Sequence, residues 1–489
     1  MTQADLNFDN TYFDQLEGLY VPIEPTAFPR PELLVLNEGL AESLGLDAAA
    51  LRAGSAGWFG GRPPEGASPL AQAYAGHQFG GFSPQLGDGR AVLLGELVGP
   101  DGQRRDLQLK GSGRTPFSRG GDGRATLGPV LREYLMSEAM HALGVPTTRA
   151  LAALSTGERV RRQEGPLPGA LLVRIADSHL RVGTFQFFAA RGDVGKLSRL
   201  TGYALARHYP QSAEAEHPAL ALLRGVAVAQ AGLIARWMQL GFIHGVMNTD
   251  NCTISGETID YGPCAFMERY DPATVFSSID QMGRYAYGNQ PGIGGWNLAR
   301  FAEALLPVLH EDRGRAVELA QEVLNGYGDT YTGLWLDGMR RKLGLSRVDD
   351  GDAAMINELL THLQAQEVDF TSFFRRLSAA ARGDPSGCVR LFSDSTVFTD
   401  WAAGWEARLD DEGRERGEVG RAMDAVNPMY IPRNHKVEEA LNAAIAGEMA
   451  PFQQLLAVAQ SPFEERPEYS AFADPAPSDF GPHVTYCGT

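Results

Sequence analysis

A long helical pattern from Ala219 to Leu240 stops at Gly241 and runs straight into His244-Gly245-Val246-Met247-Asn248-Thr249-Asp250-Asn251. Nine residues after Asn251 comes Asp260-Tyr261-Gly262. Taken alone, Asp250 and Asn251 followed by Asp260 read equally as a surface turn and a strand-end Asp. Upstream lie three further features in fixed order. A glycine-rich run, Gly80-Gly81-Phe82-Ser83-Pro84-Gln85-Leu86-Gly87-Asp88-Gly89-Arg90, lets backbone N–H groups approach phosphate oxygens. Two strands follow, Ala91 to Leu97 and Asp106 to Lys110, joined through the turn-forming Gly99-Pro100-Asp101-Gly102. A helix capped by Thr126, with Pro129 in its first turn, then runs to about Leu143 and carries Glu133. Each feature alone is ordinary: a glycine run is usually just a turn, and Lys110 alone is a strand-end cation. Their joint order makes coincidence unlikely.

A strand lysine held by a helix glutamate beside a glycine loop, followed by a catalytic loop and an Asp-x-Gly, is the arrangement of protein kinases. In that loop the Asn and the second Asp hold metal ions, and here Asn251 and Asp260 occupy those places. One position departs. The kinase catalytic Asp, two residues after the His, is Val246, which can neither accept a proton nor orient a hydroxyl. Asp250 is the nearest carboxylate that could take its place. Between the two halves lie Lys110-Gly-Ser-Gly-Arg114, Gly120-Gly121-Asp122-Gly123-Arg124, Arg174 in the apolar run Leu-Leu-Val-Arg-Ile, and Arg181. An arginine within an apolar strand needs an acceptor, so Arg174 serves either a structural salt bridge or a bound triphosphate.

Charge narrows the partners. The 489-residue chain carries a net charge of −17, which argues against general binding to nucleic acid or to a membrane surface. Yet residues 101–200 hold 16 Lys and Arg against 9 Asp and Glu, so positive charge gathers where the glycines are. Polar residues Gln230, Arg236, Gln239 and His244 interrupt the most apolar stretch, which argues against a spanning helix, and the first residues show no secretory pattern. A cytoplasmic, monomeric protein is expected. Four cysteines, at 252, 264, 388 and 487, form no Cys-x-x-Cys pair, so a structural zinc site is not expected. No P-loop, His-Glu-x-x-His or Gly-x-Ser-x-Gly motif occurs.

Further along, residues 33–51 read as an Ala/Leu-rich amphipathic stretch, and short strands are expected near 148–154 and 170–175. A small hairpin is expected at Cys252–Ile254 and Glu257–Ile259. From Trp296 to about Ala459 the pattern is mostly helical, and the Pro/Phe/Tyr-rich tail from Ser461 is expected to lie along the surface.

The segments HQFGGFSPQLGDGRA, LQLKGSGRTPFSRGGDGRATLGPVLREYL, HGVMNTDN and DYGPCAF resemble the selenoprotein O family, also called the YdiU family, from about Tyr12 to the end. The resemblance implies an α+β, bilobed, protein-kinase-like fold with a small β-rich N-lobe and a helical C-lobe. The parts would be an N-terminal extension at 1–70, an N-lobe at 71–195, a C-lobe at 196–330 and a helical C-terminal extension with tail at 331–489. It implies a protein adenylyltransferase that moves AMP from ATP to Ser, Thr or Tyr hydroxyls, releasing pyrophosphate, with the nucleotide flipped relative to kinases. Carried over, Gly87, Gly89, Arg90, Lys110, Asp122, Gly123, Arg174, Arg181 and Asp260 contact ATP and Glu133 orients Lys110. Asn251 and Asp260 hold Mg²⁺, with Mn²⁺ as the alternative, and Asp250 is the proton acceptor. Protein substrates, self-AMPylation and a role in redox homeostasis are implied, and Cys487 stands where some members carry selenocysteine, with Cys264 a conceivable disulfide partner. A divergent γ-phosphoryl kinase and an inactive nucleotide-binding scaffold are the competing readings.

Overall fold

The run Arg104-Arg105-Asp106-Leu107-Gln108-Leu109-Lys110 alternates strictly, and a strand turns successive side chains to opposite faces. Leu107 and Leu109 therefore enter one apolar core while Asp106, Gln108 and Lys110 face the other way. The neighbouring strand does the same: Leu171, Val173 and Ile175 share that core, and Arg174 pairs in register with Gln108 on the opposite face. Two periodicities thus place a lysine and an arginine side by side.

The computed structural model describes residues 6–486 apart from Glu164 and Ala213. Within these residues the strands are β1 (Tyr20–Pro22), β2 (Glu32–Leu36), β3 (Leu70–Gln72), β4 (Gly76–Gln78), β5 (Gly81–Ser83), β6 (Ala91–Val98), β7 (Arg104–Lys110), β8 (Ala125–Thr126), β9 (Arg149–Arg162), β10 (Gly165–Ala176), β11 (Phe242–Ile243) and β12 (Ala265–Phe266). The main sheet, counted over the described residues, has eight strands in the order β1-β3-β6-β7-β10-β9-β2, with β8 paired to β10. β6 and β7 form the expected hairpin. The helix Leu127–Ala142 lies on the face bearing Lys110 and packs Leu131, Leu135 and Ala139 against Ala153, Ala170 and Leu172.

Several local expectations change. Residues 33–51 are not one helix: Glu32–Leu36 is a strand paired with β9, Asn37 caps a short helix Glu38–Ser43, and Asp47 caps a second, Ala48–Gly60. The Pro31-led apolar run finds an open sheet edge, and tertiary pairing outweighs helical periodicity. The two strands expected near 150 and 170 are the long hairpin β9–β10. The hairpin expected at 252–259 does not form. Its backbone groups go elsewhere: Ile254 N–H donates to Leu180 O, and Thr258 N–H donates to Pro146 O.

From Pro218 onward helices dominate. Pro218–Leu240, Gln290–Leu309 and Arg313–Lys342 pack together, and Asp352–Ala365, Phe370–Ala381, Ser395–Glu412, Asn434–Ile445 and Ala450–Ala459 follow. Pro218–Leu240 is, after all, long and apolar enough to cross a membrane, with a mean hydropathy of 1.6, but 61% of that window is buried as a core helix. It ends at Gly241 in the left-handed conformation, φ +71°, which turns the chain sharply into β11 and the His244 loop. The tail lies along the body as expected. Thr485 N–H donates to Phe276 O, and its hydroxyl donates to Pro263 O at 2.8 Å.

Candidate active site

The sheet face carrying Lys110 opens onto a cavity of about 480 Å³. Among the residues lining it are Gly87, Gly89, Arg90, Lys110, Asp122, Gly123, Glu133, Arg174, Arg181, Asp250, Asn251 and Asp260, so twelve positions spread over 174 residues of sequence meet in one place. That volume lies within the range of small-molecule and cofactor sites. Val246 lines the same cavity.

Its floor is an ion cluster. Lys110 Nζ donates to Glu133 Oε2 at 2.6 Å and to Asp260 Oδ1 at 2.5 Å. Arg174 Nη1 reaches Glu133 Oε1 at 2.9 Å and Asp260 Oδ1 at 2.7 Å, while its Nη2 donates to Gln108 Oε1 at 2.6 Å. Arg181 Nη1 donates to Asp260 Oδ2 and to the Asp250 carbonyl, both at 2.7 Å, and its guanidinium lies over the Tyr74 ring. Burial pushes the Asp260 carboxyl up, but Lys110, Arg181 and Arg174 overcome that and hold it well below the usual carboxylate range. Three cations face two carboxylates, leaving the floor positive and suited to a polyanion. Arg174 thus makes the structural salt bridge that its place in an apolar strand called for, and it also lines the cavity.

Asp260 has φ +63°, a backbone region costly for a residue other than glycine. Such strain persists where the surroundings over-determine it, and here three salt bridges do so. The linker after β10 aims Arg181. His179 donates through its N–H and ring to Asp106 Oδ2, Arg207 binds Asp106 Oδ1 at 2.6 Å, and Asp177 N–H donates to Glu257.

Glycines shape the walls. Gly87 has φ +79°, and a Cβ there would come within 2.4 Å of the Phe117 ring. Gly123, φ +68°, is tighter: a Cβ would lie 2.0 Å from Gly113 O. Asp122 sits at the outer edge, paired with Arg162 at 2.8 Å.

On the opposite wall His244 is buried and serves structure, its Nε2–H donating to Ile259 O at 2.9 Å. Asn251 donates its amide to Val246 O at 3.0 Å. Burial raises the Asp250 carboxyl to about 6, against the pull of Arg181. Its Oδ2 accepts a long bond from Gln78, and its buried Oδ1 has no partner among the described residues. Asp260, Asn251 and Asp250 are hard oxygen donors. Among the described residues no group of three or more His, Cys, Asp or Glu side chains forms a dedicated metal cage. That donor set fits Mg²⁺, which takes one or two protein ligands and completes its shell with phosphate and water.

The sequence reading passed over Asp88, Gln108, Tyr74, Asn248 and the β4–β5 hairpin. Asp88 lies between two glycines that were selected, is 1% exposed, and is raised to about 6 by burial. Gln108 carried a signal, two residues before Lys110 on the same strand face. Asn248 lies within the loop from His244 to Asn251 but matches no kinase position, and Tyr74 carried no signal. Cys487 lies outside the described residues. Cys252, Cys264 and Cys388 are buried free thiols, pushed up by burial to about 12, 11 and 12. Thr485 does bring the tail beside Pro263, next to Cys264.

A cluster of strand Lys110, helix Glu133 and loop Asp260 under a glycine-walled, positive cavity suits a nucleotide-handling enzyme, and comparison with known proteins says which. Residues 2–460 match the family described as "Protein adenylyltransferase SelO". A "Protein nucleotidyltransferase YdiU" of Cereibacter sphaeroides is 60% identical over 485 residues, 99% of either chain. Proteins of the same name from a Mycobacterium species and from Rhizobium etli are 57% and 54% identical, each over 99% of this chain and 100% and 98% of their own. The chain is a nucleotidyltransferase. It belongs to the SelO family of protein adenylyltransferases.

Proposed function

We propose that this enzyme transfers AMP from ATP to Ser, Thr or Tyr hydroxyls of proteins, itself included, in the service of redox homeostasis. The observation that carries the reading is Val246 in the cavity wall where a kinase needs its Asp, with the Lys110–Glu133–Asp260 cluster otherwise intact. The acceptor hydroxyl oxygen attacks the α-phosphorus, the bond from that phosphorus to the bridging oxygen breaks, and pyrophosphate leaves. The hydroxyl proton passes to Asp250, whose raised carboxyl suits a base working near neutral pH. Lys110, Arg174 and Arg181 balance the charge that develops on pyrophosphate, and Glu133 keeps Lys110 in place. Gly87, Gly89, Arg90, Asp122 and Gly123 cradle the nucleotide. Asp260 and Asn251 hold Mg²⁺, or Mn²⁺ in its stead, which when bound neutralises phosphate charge as a Lewis acid. The sheet region and the helices from 196 onward act as two lobes with the cavity between them, in a cytoplasmic monomer.

The test supplies ATP labelled at the α or the γ phosphate to the full chain with Mg²⁺. Protein-bound α label without γ label is expected. Protein-bound γ label alone assigns the site to a kinase instead.

A further inference from the structure

The β4–β5 hairpin is bolted to the loop that carries Asp250. His77 N–H donates to Thr249 Oγ1 at 2.7 Å, Phe79 N–H donates to Asn248 Oδ1 at 3.1 Å, and Gln78 reaches Asp250 itself. Contact is so close that a Cβ on Gly76 would lie 2.6 Å from Asp250 Oδ1. At the hairpin tip Phe79 and Gly80, at φ +51° and +87°, form the two-residue turn that closes Gln78 on Gly81, and Phe79 is 37% exposed.

Around this tip lies further apolar surface. Ile279 and Met282 of the loop before Gln290 are 52% and 93% exposed, while Phe82, 43% exposed, lies on the hairpin's other face against His77. Tyr285 from the same loop packs on Phe79 at 5.0 Å and hydrogen-bonds Asn248, so loop and hairpin share one support. Arg284 lies over Trp296 at 4.8 Å, and a Cβ on Gly80 would approach its guanidinium within 3.7 Å. Arg284 also lies over the Tyr285 ring at 5.7 Å, its backbone N–H donates to Asp280 Oδ1, and its Nε is buried without a hydrogen-bond partner among the described residues. Phe79 and Ile279 line the cavity together with Asp250, so the patch is continuous with the reaction site.

Resting on the adenylyl-transfer reading above, we infer that this rim is where the acceptor polypeptide docks. Its occupant is an extended, acidic and apolar segment. A bulky apolar side chain lies on Phe79, Ile279 and Met282, an acidic side chain meets Arg284, and the hydroxyl between them reaches Asp250. Exposed apolar side chains beside a catalytic cavity mark interaction sites, and an arginine held by aromatic rings selects the sign of the partner's charge.

The probe is a folded carrier protein bearing one of three short disordered tails, each with a central Thr. The flanks are Leu and Glu, Leu and Lys, or Gly and Glu. The full-length enzyme should place α label on the Leu/Glu tail about tenfold faster than on the Gly/Glu tail, and about fivefold faster than on the Leu/Lys tail. Arg284→Glu should reverse the preference between Glu and Lys tails, with Arg284→Gln erasing it. Met282→Ser should shrink the preference for Leu. ATP affinity, measured by calorimetry, should stay at the parent value in all three variants. Equal labelling of the tails by the parent enzyme, an equal loss on every tail in Arg284→Glu, or a fall in ATP affinity that tracks the labelling overturns the docking surface. Label on the enzyme itself but on none of the tails does so too. Absence of α label from every protein, the enzyme included, defeats the transfer reading instead.

Discussion

Asp260 joins more of the site than any other side chain, binding Lys110, Arg174 and Arg181 through both oxygens while its backbone sits at φ +63°. Asp260→Ala should lower adenylyl transfer by about 10²-fold or more, because it removes a metal ligand and frees three cations from their geometry. Radiolabel transfer by protein shown folded by circular dichroism measures this, and a near-parental rate removes the assignment. Asp250 gives a second prediction. With its carboxyl at about 6, the ionised base is lost as pH falls through that value, so kcat/KM should drop about tenfold per pH unit below it. Asp250→Asn should cost about 10²-fold and flatten that limb. A parental pH profile in Asp250→Asn would place the base elsewhere.

At the scale of elements, the loop from Gly111 to Arg124 keeps its shape by backbone meeting backbone. Gly113 N–H donates to Gly123 O at 3.0 Å, and a Cβ on Gly123 would lie 2.0 Å from Gly113 O. No rotamer can relieve that contact, since both partners are main chain. Gly123→Ala should therefore distort the loop at a cost of about 1–3 kcal/mol and weaken ATP binding, with kcat less affected. Calorimetric titration with ATP checks it, and an unchanged affinity would show that this loop does not cradle the nucleotide. The β6–β7 hairpin and the helix Leu127–Ala142 act differently. They hold Lys110 and Glu133 by burying the apolar faces opposite to or beside those groups, so their contribution is positional.

For the whole molecule, the notable stability feature lies far from the cavity. Lys342, at the end of Arg313–Lys342, is 4% exposed and packs on the rings of Phe374 and Phe370 without a carboxylate partner among the described residues. Burial pushes its ammonium down from 10.5 to about 7. Between those values the unfolded chain binds more protons than the folded one, so stability from this group rises with pH across about 7 to 10.5 and is least below 7. Lys342→Met should stabilise the protein at pH 7 by about 1–2 kcal/mol, with the gain shrinking toward pH 10. Urea unfolding of both proteins at several pH values measures the difference. A gain independent of pH would mean that Lys342 remains charged in the fold.

Read from the sequence alone, the order of Gly87, Gly89, Lys110, Glu133, Asn251 and Asp260 already defined which chemical groups the site contains, because each sits in a local pattern with its own periodicity or turn. Alternation along β7 makes Lys110 face away from Leu107 and Leu109, and no distant residue is needed to see that. The helices Leu127–Ala142 and Pro218–Leu240 were legible for the same reason, from apolar stripes and the terminal Gly241, although the Thr126 side chain makes no capping hydrogen bond. Elsewhere local pattern misled: Glu32–Leu36 became a strand because β9 offered an open edge, and Cys252–Ile259 did not pair with itself because Leu180 and Pro146 took its hydrogen bonds. Only the tertiary structure could gather three cations on Asp260, leave Asp250 Oδ1 without a partner, or set Phe79 beside it. These depend on contacts between residues 79 to 172 positions apart, whose geometry follows from how the sheet and helices pack rather than from any segment's own preference.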